Sequence, residues 1–289
     1  MSESPFLAVI GGTGLYQFPA LQSIETIEVD TPFGSPSGPI RIGTLAGRKV
    51  AFLARHGIGH HILPHEVNYR ANIYALKKLG AKRVIAVSAC GSLRDDFAPG
   101  SVVIPDQVFD FTRFRDRTFF GNGIVAHIGS AQPFCPHLMD MAFHAVQKFS
   151  HQVHLGGTAI TIEGPRFSTK AESNLFRSWG MSIIGMTTSP EVFLAREAEL
   201  CYAAIAHVTD YDVWHQSEDP VTVEMVIRTL NENVEVIQNA IVHLVETLPE
   251  EWDDDCLHAV DKAIMTNPDQ IPAETREKLD LLIGKYLPR

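Results

Sequence analysis

The chain has 289 residues, 45% of them hydrophobic and 20% charged, with a formal net charge of −10. That length and balance suit a globular protein whose core is large enough to need no covalent staples. The acidic balance argues against nucleic acid or an anionic membrane surface as the main partner, although a local cluster of donors can still hold a small anion.

Taken in chain order, residues 6–10 form a short apolar run closed by Gly11-Gly12, a predicted strand. No basic region precedes it, and it is too short for a secretory leader. Residues 50–54 predict a second strand. Residues 66–79 place Val67, Ala71, Tyr74, Ala75 and Leu79 at helical spacing and stop at Gly80. Residues 83–89 and 101–109 read as strands. A helix near 136–149, a strand at 157–163, a helix at 169–179 and a strand at 182–186 follow. Then come a helix at 190–200, a strand at 202–208 and a long helix at 222–248. A C-terminal helical extension, one or two packed helices, starts at about residue 250.

The alternation predicts an α/β fold, a mostly parallel sheet covered on both faces. No linker of Gly/Ser/Pro composition divides residues 1–289, which read as a single domain. No run approaches the roughly 20 apolar residues of a membrane helix. Cys90, Cys135, Cys201 and Cys256 are far apart with no C-x-x-C pair, which argues against a disulfide framework and for a reducing compartment. The expected setting is therefore soluble and cytoplasmic.

In such sheets ligands gather at the carboxyl ends of the strands. The residues there are Gly11-Gly12-Thr13-Gly14, Arg55-His56, Ser88-Ala89-Cys90-Gly91, Thr187-Thr188 and Thr209-Asp210-Tyr211-Asp212. They suit an anion together with a polar heterocycle. IGGTGLY lacks the third glycine of a dinucleotide fingerprint. Beside the reading as a plain tight turn, its small residues would let backbone N–H groups and the Thr13 hydroxyl approach a phosphate. The Arg55 guanidinium fork fits a phosphate, and the His56 imidazole is expected to add a donor.

His56, His60, His61 and His65 crowd one stretch and invite a metal reading, which their spacing opposes. His65-Glu66 has no second histidine three residues beyond the glutamate, Gly57 and Gly59 interrupt the pair at 56 and 60, and Pro64 breaks the run. No metal is expected, and His60 is the one further histidine expected near a site. Asp210 and Asp212 allow two readings: a polar turn capping a helix, or a pair lining an apolar pocket. In a pocket, burial would raise an Asp pKa, so that one acid could donate to a purine N7 while its neighbour accepts from an amine.

The motifs IGGTGLY, LARHG, VNYRANIYALKKLGA, SACGSL, TAITIEGPRFSTKAES, GMTTSPEVFLAREAELCYAAIA and TDYDVW occur in this order from Ile10 onward. Together they resemble the S-methyl-5′-thioadenosine phosphorylase branch of the trimeric purine nucleoside phosphorylase family, as far as about Ile227. The resemblance implies a single-domain nucleoside phosphorylase fold: a central mixed, partly barrel-like sheet flanked by helices. It implies a homotrimer with inorganic phosphate as co-substrate, a small-molecule nucleoside as substrate, and neither cofactor nor metal. By motif, phosphate would be held by Thr13, Arg55, His56, Ser88, Ala89 and Thr187. Phe167 would pack on the base and Met186 on the ribose, and Asp210 and Asp212 would face the purine as catalytic acids. Val223, Val226 and Ile227 would line the 5′ pocket, and His127 would reach the neighbouring subunit's site. The implied reaction is phosphorolysis of 5′-methylthioadenosine in purine and methionine salvage. Rival expectations are a phosphorylase preferring adenosine, inosine, guanosine or methylthioinosine, and a catalytically silent nucleoside-binding protein.

Overall fold

The computed structural model describes residues 4–12, 15, 18–215 and 223–288, the side chains of 223–232 excepted. At the centre lie three parallel strands, β1 (Leu7–Gly11), β5 (Arg83–Ser92) and β11 (Cys201–Asp210). Every residue of β1 and β11 is buried. Strands covered on both faces read as continuous apolar runs, which is why the sequence exposes them so plainly. In register, Ala8 faces Val84, and Cys201 faces Arg83.

From β1 the sheet continues through β4 (Arg48–Ala54) and β3 (Ile40–Leu45) to the edge strand β2 (Gln22–Ile27). Neither β2 nor β3 is among the predicted strands. Five of the six β2 residues are exposed, so no apolar pattern marks it. The two-residue hairpin turn between β3 and β4, Ala46-Gly47, has positive φ at both positions. That geometry matches strand twist, but only its glycine is a recognisable signal.

On the other side, the expected strand at 101–109 is two strands. Pro105 cannot donate to a ladder, and the chain turns there from β6 (Val102–Ile104) to β7 (Gln107–Phe111). β6 pairs with β11 and β8 (Val153–Leu155), while β7 pairs with β9 (Thr158–Ile162). β9 lies parallel to β10 (Ile183–Gly185), and β10 runs antiparallel to the end of β5. The sheet is therefore mixed and branched at β5.

Helix α1 (Tyr69–Lys78) starts three residues later than its periodicity suggests, because the Asn68 side chain caps it by accepting from the Ala71 N–H. It packs on α4 (Thr188–Glu197). α2 (Pro136–Gln147) and α5 (Val223–Thr247) pack on each other and on β11. α3 (Lys170–Ser178) begins with a capping box between Thr169 and Glu172. Beyond α5 come short 3-10 turns and α6 (Ala273–Ile283), which bring Val260, Ile271, Leu279 and Ile283 into the main core. Among the described residues no helix is long and apolar enough to cross a membrane.

Candidate active site

The branching of the sheet makes the site. β1 follows one side of β5 as far as Val87, opposite Gly11, and β10 takes up the same side only at Gly91. Between them, Ser88, Ala89 and Cys90 have, among the described residues, a strand neighbour on the β11 side alone. Those three residues line a cavity of about 220 Å3. Into it the fold brings Arg55, His56, Ser88, Ala89, Phe167, Met186, Thr187, Asp210 and Asp212 from five separate segments. The sequence predicted Ser88–Gly91 as the turn after a strand; they are the last part of β5 itself, opened by the departure of β1.

Arg55 ends this way because of what it meets. It is 1% exposed, and its Nε and Nη2 donate to the two oxygens of Glu191 at 2.7 and 2.8 Å. Its Nη1 donates to the Val87 carbonyl at 3.0 Å. Tyr202 on β11 donates its hydroxyl to the same Glu191 carboxylate at 2.8 Å. Burial works against the Arg55 charge, but the adjoining carboxylate more than reverses it and holds the pKa above the ordinary value. Three of its five N–H groups are used, which leaves one on each Nη for a ligand. Glu191 of α4 holds this arginine in place. No pattern in the sequence couples positions 136 residues apart.

His56 departs from expectation. Its Nδ1 lies 2.9 Å from the Ile62 carbonyl, which can only accept, so Nδ1 carries the proton. Burial, with the Arg55 charge beside it, lowers its pKa to about 4. The ring is neutral at pH 7, and Nε2 is an acceptor rather than the expected donor. His60 stacks on it at 4.4 Å between centroids and lines the cavity, while His61 and His65 are exposed.

Asp210 closes β11. Its Oδ2 accepts from the Thr209 hydroxyl at 2.7 Å and its Oδ1 from the Asp212 N–H at 2.7 Å. Asp212 turns back towards it with φ near +51°, a left-handed conformation that aspartate tolerates. Burial, helped by the Asp210 charge, pushes the Asp212 carboxyl from 3.8 up to about 6. The hydroxyls of Ser168 and Ser173 stand close enough to hold that rise down without completing a hydrogen bond. Gly91 fits between the acids: a Cβ there would come within 2.9 Å of Asp210 Oδ1 and 3.0 Å of Ile184. Of the two sequence readings, the pocket pair is the one the fold builds.

The opposite wall is fastened by a residue the sequence reading missed. Arg115 donates through Nη1 to the carbonyls of Met186 (2.7 Å) and Ser189 (2.8 Å), and through Nη2 to that of Glu163 (2.7 Å). Its Nε pairs with the Glu163 carboxylate at 2.9 Å. It thus ties together the chain leaving β9 and β10, and so sets Met186 and Thr187. Nothing distinguishes it locally from Arg113 and Arg117. Gly164, at φ near +68°, leaves room for the Met186 thioether. Thr187 is the N-cap residue of α4, and Phe167 stands half-exposed at the cavity. His207, also missed, is buried in the wall with its pKa lowered by burial to about 4.

Of the remaining expected residues, His127 is exposed and lies away from the cavity of its own chain. Thr13 and the side chains of Val223, Val226 and Ile227 lie outside those described.

Two outcomes follow from these contacts. Glu191→Ala leaves a buried guanidinium without its partner and should cost about 3–5 kcal/mol in denaturant unfolding, whereas Arg55→Met/Glu191→Leu together should cost less. Because the folded pKa of Asp212 is raised, its stabilising contribution is complete below about pH 4. It disappears as pH rises through about 6, a change on the order of 3 kcal/mol. Asp212→Asn should therefore gain stability relative to the parent between pH 4 and 7; a difference that stays flat with pH would contradict the burial argument.

A model of the phosphorylase superfamily matches residues 6–246. The S-methyl-5′-thioadenosine phosphorylase of Geobacter sulfurreducens is 52% identical over 282 residues, 97% of this chain and 99% of that protein. A crystal structure of a methylthioadenosine phosphorylase from an antarctic soil metagenomic library aligns with a TM-score of 0.92 at 43% identity, covering 96% of this chain and 99% of that one. The methylthioadenosine phosphorylase of Schistosoma mansoni, solved in complex with adenine, aligns at 0.80 with 38% identity, covering 84% and 91%. The half-identical sequence over nearly its full length and the matching fold agree: this chain belongs to the S-methyl-5′-thioadenosine phosphorylases, within the phosphorylase superfamily.

Proposed function

We propose that this protein is a pentosyltransferase that cleaves 5′-methylthioadenosine with phosphate, giving adenine and 5-methylthioribose 1-phosphate. The observation that carries the reading is a single cavity with donors for an anion, centred on Arg55, and a pair of acids, Asp210 and Asp212. The near-full-length identity to relatives of that activity supports it.

Phosphate binds below C1′ against the two remaining Arg55 N–H groups, the Ser88 and Thr187 hydroxyls, Thr13, and the Ala89 backbone. His56 Nε2 accepts from a protonated phosphate oxygen, since its own proton is on Nδ1. The C1′–N9 bond lengthens, and the ribose gains oxocarbenium character that the anion stabilises. Adenine is a poor leaving anion. The acid pair enters holding one proton, which burial places on Asp212 in the free site; it passes to Asp210, which delivers it to N7, and the Asp212 carboxylate left behind accepts from the 6-amino group. The phosphate oxygen then bonds to C1′. Phe167 covers the base, Met186 the ribose, and Val223, Val226 and Ile227 the alkylthio group.

A carboxylate facing the 6 position favours an aminopurine over a 6-oxopurine, because the wrong base would leave a buried polar group unpaired. The Schistosoma mansoni relative was solved with adenine, in keeping with this preference. No cofactor enters the reaction; phosphate is a co-substrate. The reading also makes residues 1–289 one catalytic domain with a helical extension from about 250, assembled as a cytoplasmic homotrimer in which His127 reaches a neighbour's site. An aromatic cluster, Phe109, Phe111, Phe176 and Trp179, leaves Phe109 and Trp179 open to solvent and offers an apolar face for such contact.

Adenine release from 5′-methylthioadenosine, followed spectrophotometrically, should require phosphate and should exceed base release from inosine. Equal rates with and without phosphate would make the protein a hydrolase and remove the anion from the reaction. Asp210→Asn should lower kcat by about 10²–10⁴-fold while the KM for phosphate changes little. Undiminished turnover in that variant would take the proton-donor role away from Asp210.

A further inference from the structure

Three cysteines that are far apart in the sequence meet at the end of β11 remote from the acids. Cys135 is the N-cap of α2, Cys201 opens β11, and Cys256 lies in the 3-10 turn Asp255–His258 that follows α5. Their sulfurs and a carboxylate oxygen of Asp254 all lie within 4.8 Å of one another. The three thiols are 1%, 0% and 3% exposed. We infer that Cys135, Cys201, Cys256 and Asp254 form a closed structural site for a thiophilic divalent cation of the zinc class.

The geometry and the donor types agree. Tetrahedral zinc with thiolates at about 2.3 Å holds its ligand atoms about 3.7 Å apart, and Cys135 Sγ stands 3.4 Å from Asp254 Oδ2. Three soft sulfurs with one carboxylate suit zinc better than magnesium or calcium, which take oxygen shells, or an iron–sulfur cluster, which takes four thiolates. All four donors come from the protein and are buried, so no position opens to substrate.

The surroundings supply what a metal's outer shell needs. His137 Nδ1 pairs with Asp254 Oδ2 at 2.7 Å, and the Cys256 N–H donates to Oδ1 at 3.0 Å, which together orient the carboxylate. Trp252 Nε1 donates to Cys201 Sγ at 3.2 Å, and the Leu138 N–H donates to Cys135 Sγ at 3.4 Å at the positive start of α2. A disulfide would use two sulfurs and strand the third beside the carboxylate.

The site's role is mechanical. Cys201 and Asp210 are the two ends of the ten-residue β11, about 30 Å apart along an extended chain. Cation binding displaces the three thiol protons to solvent and fastens the segment after α5 to the starts of α2 and β11.

The test uses the full chain, purified reduced and without a histidine tag. Elemental mass spectrometry should find about one zinc per chain, released when a mercurial titrates the thiols. Cobalt(II) in its place should give a thiolate-to-metal charge-transfer band and the visible bands of a tetrahedral ion. Asp254→Asn should weaken the cation by more than the about 10–100-fold typical of an outer-shell change. If that variant does not fold, the parent's metal content and cobalt spectrum decide alone. Protein that holds no zinc and gives no charge-transfer band overturns the inference. An intact mass short by two hydrogens, the mark of a disulfide, overturns it too, as does unchanged affinity in a folded Asp254→Asn.

Discussion

Neither the Arg55 guanidinium nor the Glu191 carboxylate has access to water, so each depends on the other for its charge. Two ions removed from solvent repay their desolvation only when the geometry is close and the remaining polar atoms are bonded. Here a bidentate contact, the Val87 carbonyl and the Tyr202 hydroxyl meet that condition. Because these residues sit at the end of β4 and on β5, α4 and β11, the pair fixes four elements around one point. That point is the wall of the cavity, and the two N–H groups left on Arg55 are aimed by the same contacts that bury it.

The second constraint is the gap in the sheet. A strand normally spends its backbone donors and acceptors on neighbours, yet among the described residues β5 lacks one beside Ser88–Cys90, where β1 has left and β10 has not arrived. Backbone groups without a ladder partner need another, which is why such switch points are where ligands sit. The wall across the cavity cannot rely on sheet bonds either, and Arg115 takes over by gathering the carbonyls of Glu163, Met186 and Ser189. Rigidity at the site thus comes from side-chain clamps rather than from the ladder.

Much of this was legible in the sequence. β1, β4, β5 and β11 announce themselves as apolar runs, and the motifs at their ends name Arg55, His56, Ser88 and the Asp210/Asp212 pair. β2 was not legible because its exposed residues carry no periodicity, and the 101–109 strand was misjudged because Pro105 divides pairing between two different neighbours. The four cysteines looked unrelated along the chain, yet Cys135, Cys201 and Cys256 are side by side once α2, β11 and the turn beyond α5 are packed.

By itself the sequence determined the order of strands and helices, the polar chemistry at the strand ends and the kinship with nucleoside phosphorylases. Those depend on local periodicity and on short runs of residues, which survive in a one-dimensional reading. Only the tertiary structure decided that Glu191 neutralises Arg55, that His56 keeps its proton on Nδ1, that burial lifts Asp212 rather than leaving it an ordinary acid, and that three thiols converge on Asp254. Each of these depends on burial and on contacts between distant positions, and the loss of water around a group is set by the whole packed fold rather than by its neighbours in the chain.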